Sequence, residues 1–129
     1  MKRLVLTLVL AILSGSVAAG VPSTGSTLLT SCEQAEDIAR TPPGTLSGAD
    51  IGQAESCVAF VVGVKSGVRI GEIIRAGEQS LICASPQVTV GQFMRVVLAW
   101  LRANPQRVHE ASDILVATAL RDAFPCPSR

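Results

Sequence analysis

The sequence is poor in the residues that carry catalysis or bind metals. It has no tyrosine, one tryptophan, three phenylalanines and a single histidine, His109. No C-x-x-C pair occurs, so the ligand spacings typical of a zinc site are missing and we expect no metal. No block of like charge runs along the chain, which argues against a nucleic acid partner and against a basic helix on a membrane surface.

A catalytic site is not recognisable either. A cysteine with His109 suggests thiol chemistry, but the cysteines are expected to be oxidised, and a disulfide sulfur is no nucleophile. The neighbouring carboxylates Glu36 and Asp37 fall on the charged face of a predicted helix, where solvation is their ordinary role. No serine lies in a nucleophile motif, and no glycine-rich phosphate loop is present. We therefore expect a binding or structural protein, not an enzyme, with no catalytic residues and no cofactor.

The first 19 residues have the pattern of a secretory signal peptide. Lys2 and Arg3 form a positive n-region, Leu4–Leu13 is an apolar run of h-region length, and Val17-Ala18-Ala19 places small residues before a cleavage site. We predict cleavage after Ala19. A short uncleaved anchor is the alternative, although a membrane span needs about 20 apolar residues. The remaining chain has the size of one small domain and a net charge close to zero.

Four cysteines follow the signal peptide: Cys32, Cys57, Cys83 and Cys126. In an oxidising compartment an even number of cysteines indicates disulfides, here two. Leu29-Thr30-Ser31-Cys32 looks like a lipid-attachment sequence, but it lies far beyond the apolar run of the signal. Acylation of Cys32 would also leave one cysteine without a partner. We expect a disulfide at Cys32, with a lipid anchor as the alternative.

Apolar periodicity predicts two helices in the first half of the domain. Residues 20–27 are small and polar, and we expect a flexible lead-in. A helix follows, with its apolar stripe on Leu28, Cys32, Ala35 and Ala39, and it stops at residues 41–44. The second helix, capped by Ser47 or Asp50, contains the nearly unbroken apolar run 57–64. A buried strand is the alternative for this run, but no convincing partner strand exists, so we favour a buried central helix.

The second half predicts two more helices. Thr89 and Gln92 form a capping box before a wide apolar face that ends at Asn104-Pro105. The fourth helix is predicted from Val108 or His109 to Ala123. Residues 67–85 have a weak pattern with three glycines, which favours irregular structure. The fold class is therefore all-α: a small bundle of about four helices with two disulfides, spanning residues 28–127.

Four cysteines allow three pairings, and the helix order ranks them. Cys32 and Cys57 lie at similar distances from the loop between the first two helices. Cys83 precedes the third helix and Cys126 follows the fourth, and these ends meet if the two helices form an antiparallel hairpin. We therefore favour Cys32–Cys57 and Cys83–Cys126.

A series of landmarks resembles the Rap/Tai immunity-protein family over about residues 28–127. In chain order they are Leu28-Leu29-x-x-Cys32, Cys57-x-x-Phe60-Val61-x-Gly63-Val64, Cys83-x-x-Pro86-x-Val88-Thr89-x-x-Gln92, Trp100-Leu101-x-x-Asn104-Pro105, and Ala111-x-x-x-Leu115-Val116-x-x-Ala119-Leu120-x-x-Ala123-Phe124-Pro125-Cys126. The resemblance implies a small homodimeric helical protein of the Gram-negative periplasm. It also implies that the protein binds a type VI secretion amidase that cuts peptidoglycan, blocks its catalytic cleft, and needs no cofactor.

The recognition surface is expected on exposed, irregular segments. The segment 67–87 and the turn 104–110 are the candidates, with Arg75, Glu78 and Gln79 as the predicted partner-binding residues. The alternative function is an orphan periplasmic structural or stress-response helical protein with no toxin partner. A single histidine leaves little that titrates near neutral pH, which disfavours an acid-stress role.

Overall fold

The computed structural model describes residues 20–75 and 79–127. In these ranges the chain forms four α-helices, α1 (Gly25–Ile38), α2 (Gly48–Ile74), α3 (Val90–Ala103) and α4 (Ser112–Ala123), and no β-strand. A 3₁₀ turn, Pro105–Arg107, joins α3 to α4. This confirms the all-α fold. The predicted signal peptide lies outside the described residues, and none of the described helices has the length and hydropathy to cross a membrane.

Capping boxes start the first three helices. The Thr89 hydroxyl accepts the amide N–H of Gln92 at 3.3 Å, and the Gln92 side chain accepts the Thr89 N–H at 2.7 Å, as the sequence predicts. At α2 the Ser47 hydroxyl accepts the Asp50 N–H, and the Asp50 carboxylate accepts from Ser47. The side-chain and backbone hydrogen bonds from Ser47 lower the pKa of Asp50, so this cap keeps its charge to low pH. Each box satisfies amide groups that the helix itself leaves unpaired.

Helix α2 is longer than the sequence pattern indicates. Irregular structure was expected from residue 67 onward, and this is wrong for residues 67–74, which are helical. Glycine within a helix costs about 1 kcal/mol relative to alanine. Contacts beyond the helix offset this cost: Glu72 accepts the backbone N–H of Leu81 at 2.6 Å, and Val68 lines a small cavity together with Leu81 and Ile82. Tertiary contact therefore overrides the local preference.

The buried central position expected for α2 is only half correct. Ala54, Cys57 and Val61 are buried, whereas Ala59 and Gly63, in the same apolar run, are exposed. The apolar run therefore has a buried side and an exposed side, although nearly all of its residues are apolar.

The N-terminal segment, residues 20–24, docks onto the start of α4. The buried Ser112 hydroxyl donates to the Pro22 carbonyl at 2.6 Å, and the Ser112 N–H donates to the Ser23 carbonyl at 3.2 Å. Thr24 also forms an isolated antiparallel bridge with Ala111. No side chain caps α4 at Ala111. Backbone carbonyls of the N-terminal segment thus accept hydrogen bonds from Ser112, the first residue of this helix.

The first residues of α1 and α4 differ from those predicted from the sequence, and the reason is the same for both helices. Helix α1 begins at Gly25, inside the expected lead-in, and α4 begins at Ser112 rather than at Val108 or His109. The Val108 carbonyl accepts the Ser26 N–H at 2.8 Å, so it is held in the turn before α4. Long-range backbone bonds set both boundaries, and local sequence does not show them.

The core lies between the four helices and is made mainly of leucine and valine. Its buried members are Leu28, Cys32, Ala35, Ala54, Cys57, Val61, Phe93, Val97, Leu98, Leu101, Leu115, Val116, Ala119 and Leu120. The most extensive packing joins α1 to α2. Arg102 on α3 adds surface ion pairs to Glu33 and Glu36 on α1, at 3.4 and 3.0 Å.

Both predicted disulfides are confirmed. Cys32–Cys57 joins α1 to α2 in the core, with both cysteines at most 1% exposed. Cys83–Cys126 joins the segment before α3 to the segment after α4, and here Cys83 is exposed. One disulfide is therefore part of the core and the other lies at the surface.

Gly25 is where another backbone comes closest. A Cβ added there would clash with Leu115 Cδ1 and lie 2.9 Å from both the Cα and the carbonyl oxygen of Val108. We expect Gly25→Ala to lower the free energy of unfolding by about 1–3 kcal/mol, measured by urea denaturation. Gly48 is the matched control, because it is the first residue of α2 and a Cβ there meets nothing within 4 Å. Equal effects of Gly25→Ala and Gly48→Ala would contradict the close approach.

The two disulfides should differ in access to reductant, since exchange requires a thiolate to reach the sulfur. In the folded protein we expect a mild reductant to open Cys83–Cys126 first, while Cys32–Cys57 stays closed until the chain unfolds. Alkylation followed by peptide mass spectrometry measures this order. In denaturant, as the control, both should open together. Earlier labelling of Cys32 and Cys57 in the native state would show that the core is accessible.

Candidate partner-binding surface

The segment before α3 is attached both to α2 and to the residues that follow α4. We call this segment, residues 79–89, the anchored loop. Besides the Cys83–Cys126 disulfide, the Cys83 N–H donates to the Phe124 carbonyl at 2.9 Å. The Leu81 N–H donates to Glu72 near the end of α2. A loop without helical hydrogen bonds is thereby held against the ends of two helices, which lowers the entropy cost of binding a partner.

Two of the three sequence-predicted contact residues are described: Arg75 lies before the anchored loop in the chain, and Gln79 is its first residue. Arg75 is the C-cap of α2 and is exposed, and its backbone N–H donates to Gly71 at 3.1 Å. Gln79 is exposed, and its side-chain amide donates to the Pro127 carbonyl at 3.3 Å. Glu78 lies outside the described residues. The structure therefore places Arg75 at the end of α2 and Gln79 next to Pro127.

An apolar patch adjoins the anchored loop. Leu81 and Ile114 are each 54% exposed, and they line one small cavity of about 180 Å³ together with Val68 and Ile82. Apolar groups surrounded by polar ones are typical of the centre of a protein interface. The loop thus combines a fixed backbone, polar groups and exposed hydrophobic side chains. Neither Leu81 nor Ile114 was singled out from the sequence as a residue of a binding surface.

The turn 104–110 carries a second group of side chains. Arg107 lies over the ring of Trp100, with its guanidinium carbon 5.1 Å from the ring centroid, and it forms two 2.7 Å bonds to Glu110. The Trp100 indole N–H donates to Asp122 at 3.1 Å. Tryptophan and arginine are the residues most often found at the energetic centres of interfaces. We call these four residues the Trp100 cluster.

The ion pair between Arg107 and Glu110 shifts the pKa values of both residues. The hydrogen bond to Glu110 raises the pKa of Arg107, and the hydrogen bond from Arg107 lowers the pKa of Glu110. Since the folded carboxyl has the lower pKa, the pair stabilises the fold above the ordinary glutamate range, and this contribution is lost as the pH falls. Around neutral pH the turn keeps its geometry. His109 beside the pair is exposed.

From the sequence, Trp100 was only one of the family landmarks, with no indication that it contacts the turn 104–110. The structure shows it half-buried, with one side available to Arg107. The only local signal was the indole N–H, which needs a hydrogen-bond partner when it is buried. Asp122, which supplies that partner, lies 22 residues away.

The described residues contain neither a free thiol nor a cluster of metal-binding side chains. All four cysteines are in disulfides, so no thiol nucleophile is present. In residues 20–75 and 79–127, no cluster of three or more His, Cys, Asp and Glu side chains is placed to hold a metal ion.

Comparison with known proteins agrees with this description. No curated protein and no solved structure matches the chain. A family model, described as Rap1a immunity proteins, matches residues 24–126. The match runs from the N-cap of α1 to the second cysteine of the surface disulfide, and it confirms the resemblance seen in the sequence. The chain therefore belongs to the family of Rap1a immunity proteins.

Proposed function

We propose that this protein is a periplasmic immunity protein that binds a type VI secretion peptidoglycan amidase and occludes its catalytic cleft. The observation that carries the proposal is the family match over residues 24–126, since an immunity protein has a protein toxin as its partner. Protection then needs only binding, and the protein performs no chemical step itself. The alternative is an orphan structural or stress-response protein, and no feature of the described residues specifically favours it.

The anchored loop supports a mechanism of occlusion. A catalytic cleft is concave, so an inhibitor that fills it needs a projecting segment that does not collapse on contact. The disulfide and the bonds to Phe124 and Glu72 hold the anchored loop in place, which supports this role for it. We infer that the loop contacts the amidase, with Arg75, Glu78 and Gln79 beside the contact.

The proposed compartment is the periplasm, where peptidoglycan lies. Two disulfides are consistent with an oxidising compartment, and the predicted signal peptide supplies the route. In its functional form we propose a homodimer, as the family resemblance implies.

The direct test mixes the purified mature protein with candidate type VI amidases and measures complex formation and cleavage of cross-link peptides. We expect a one-to-one complex per chain and loss of amidase activity. No complex and full activity with every amidase encoded beside the gene would overturn the amidase as the partner. Sensitivity of a deletion strain to acid, but not to a toxin-delivering competitor, would favour the alternative.

Single substitutions test whether the amidase binds at the proposed surface or elsewhere on the molecule. We expect Arg75→Glu to weaken amidase binding at least tenfold, or about 1.4 kcal/mol, because charge reversal at a contact adds repulsion. Gln79→Ala should weaken it less, since an exposed amide contributes less than a charge. The control is Arg95→Glu, which makes the same charge change at an exposed position in the groove between α1 and α3. Calorimetric titration gives the affinities, and equal losses for Arg75→Glu and Arg95→Glu would reject the anchored-loop surface.

A further inference from the structure

A small cavity between α2 and the anchored loop holds two basic side chains. We call it the cationic notch, a space of about 290 Å³ lined among others by Lys65, Val68, Arg69, Ile82, Ser85 and Phe93. Lys65 is half-buried and Arg69 is exposed. Neither forms an ion pair within residues 20–75 and 79–127. The notch therefore presents two positive charges that no described carboxylate neutralises.

The Lys65 ammonium is held in position by an aromatic ring. Its Nζ lies 4.5 Å from the centroid of the Phe93 ring, which is buried and packs edge-on against Phe124. The ring attracts the cation through its quadrupole but carries no charge that would neutralise it. Because this contact lies on one side of the ammonium, N–H donors remain for an anion on the other side. The cation is thus ordered before a ligand binds, which lowers the entropy cost of binding.

Glu72 is the acidic residue of the notch, and its carboxylate is already engaged. It accepts the Leu81 N–H at 2.6 Å, which turns it toward the backbone of the anchored loop. Arg69 lies three residues earlier on the helix, a spacing that allows an ion pair, but the two side chains form none. Glu72 therefore fastens the loop beside the two cations and neutralises neither of them.

The groove between α1 and α3 provides a contrast of similar size. It measures about 300 Å³ and also contains two cations, Arg40 and Arg95. There Glu36 binds Arg40 at 2.8 Å and Arg102 at 3.0 Å, so one of the two lining cations has a carboxylate partner within the protein. Of these two cavities, only the notch keeps both of its cations for a ligand.

We propose that the cationic notch binds an acidic side chain of the protein toxin, with the carboxylate between Lys65 and Arg69. The identity of this partner rests on the proposed function. Arginine binds a carboxylate through two parallel hydrogen bonds and lysine binds it as a point charge, so the pair suits this ligand. Pockets for small molecules measure about 300–1,000 Å³, and the notch lies at the lower limit of this range. It therefore suits one side chain rather than a whole small molecule.

The apolar patch beside the notch extends the same contact. Val68 and Ile82 line both the notch and the cavity of Leu81 and Ile114, so the two cavities adjoin. Apolar surroundings exclude water, and an ion pair that is sheltered from water is screened less by salt. The toxin segment that fits both cavities carries an acidic residue next to an apolar one. A toxin with a basic residue at that place is rejected by repulsion, so the notch also contributes to specificity.

A model compound tests the notch in the mature protein without any toxin. N-acetylglutamate amide carries the proposed carboxylate, and N-acetylglutamine amide is the neutral probe of the same shape. In heteronuclear NMR titrations, we expect the acid to shift the backbone amide signals of Val68, Arg69 and Ser85 saturably at millimolar concentrations, and the neutral probe to leave them in place. Equal shifts with both probes, no saturable shift, or equal shifts at Arg40 and Arg95 would overturn the notch as a carboxylate site.

Two substitutions locate the binding of the acid. Lys65→Met keeps an apolar chain over Phe93 and Arg69→Gln keeps a polar end, while each removes one charge. We expect each to weaken binding of the acid about fivefold, the upper range for a surface ion pair. The control Arg95→Gln removes a charge from the groove between α1 and α3 and should leave the binding unchanged. Circular dichroism checks that each variant folds, and undiminished binding in both notch variants would contradict the assignment.

An amidase that binds the wild type then identifies the occupant. We expect the double variant, Lys65→Met with Arg69→Gln, to weaken the complex about tenfold and to reduce its dependence on salt. An unchanged complex would overturn the toxin as the occupant even if the acid probe binds. Loss of self-association in the double variant, seen by sedimentation velocity, would assign the acid to a second copy and overturn the toxin as its source. If the wild type binds no amidase, the proposed function fails and this occupant with it, whereas the NMR titration still decides whether the notch binds a carboxylate.

Discussion

The buried disulfide Cys32–Cys57 is the constraint on which the architecture depends. The chain is short, contains few aromatic residues and builds its core from medium-sized aliphatic side chains. Closing a loop of this length is worth about 3 kcal/mol, a large share of the 5–15 kcal/mol typical of small domains. It joins α1 to α2 within their region of closest packing. With its first half fixed, α2 extends to Ile74, where it supports the anchored loop.

The sequence predicted the features that local chemistry determines. The Thr89–Gln92 capping box, the proline stop after α1 and the disulfide pairing all follow from nearby residues and helix order. The predictions failed where contacts with residues distant in the sequence determine where a helix begins or ends. Helix α4 starts at Ser112 because the N-terminal segment occupies the turn before it, and α2 continues through Gly67 and Gly71 because the loop beyond packs against it.

The binding surfaces were only partly predictable, for a related reason. Exposed, irregular segments are visible in a sequence, so Arg75 and Gln79 were placed on the surface in advance. The Trp100 cluster was not, since it unites residues from α3, the 3₁₀ turn and α4. The exposed side of α2, which includes Ala59 and Gly63, was also not predictable, because an unbroken apolar run looks the same whether one side or all sides are buried. Only packing against α1 shows which side remains open.

The surface disulfide links recognition to location. Cys83–Cys126 forms only under oxidising conditions, and without it the anchored loop loses its covalent attachment to the segment after α4. If the protein is exported as we propose, a chain still in the reducing cytoplasm lacks this covalent tie in the loop that we assign to toxin binding. Under the proposed function, competence to bind is therefore acquired on export to the compartment where peptidoglycan lies. A toxin made by the same cell would thus meet no preformed inhibitor before it leaves the cytoplasm.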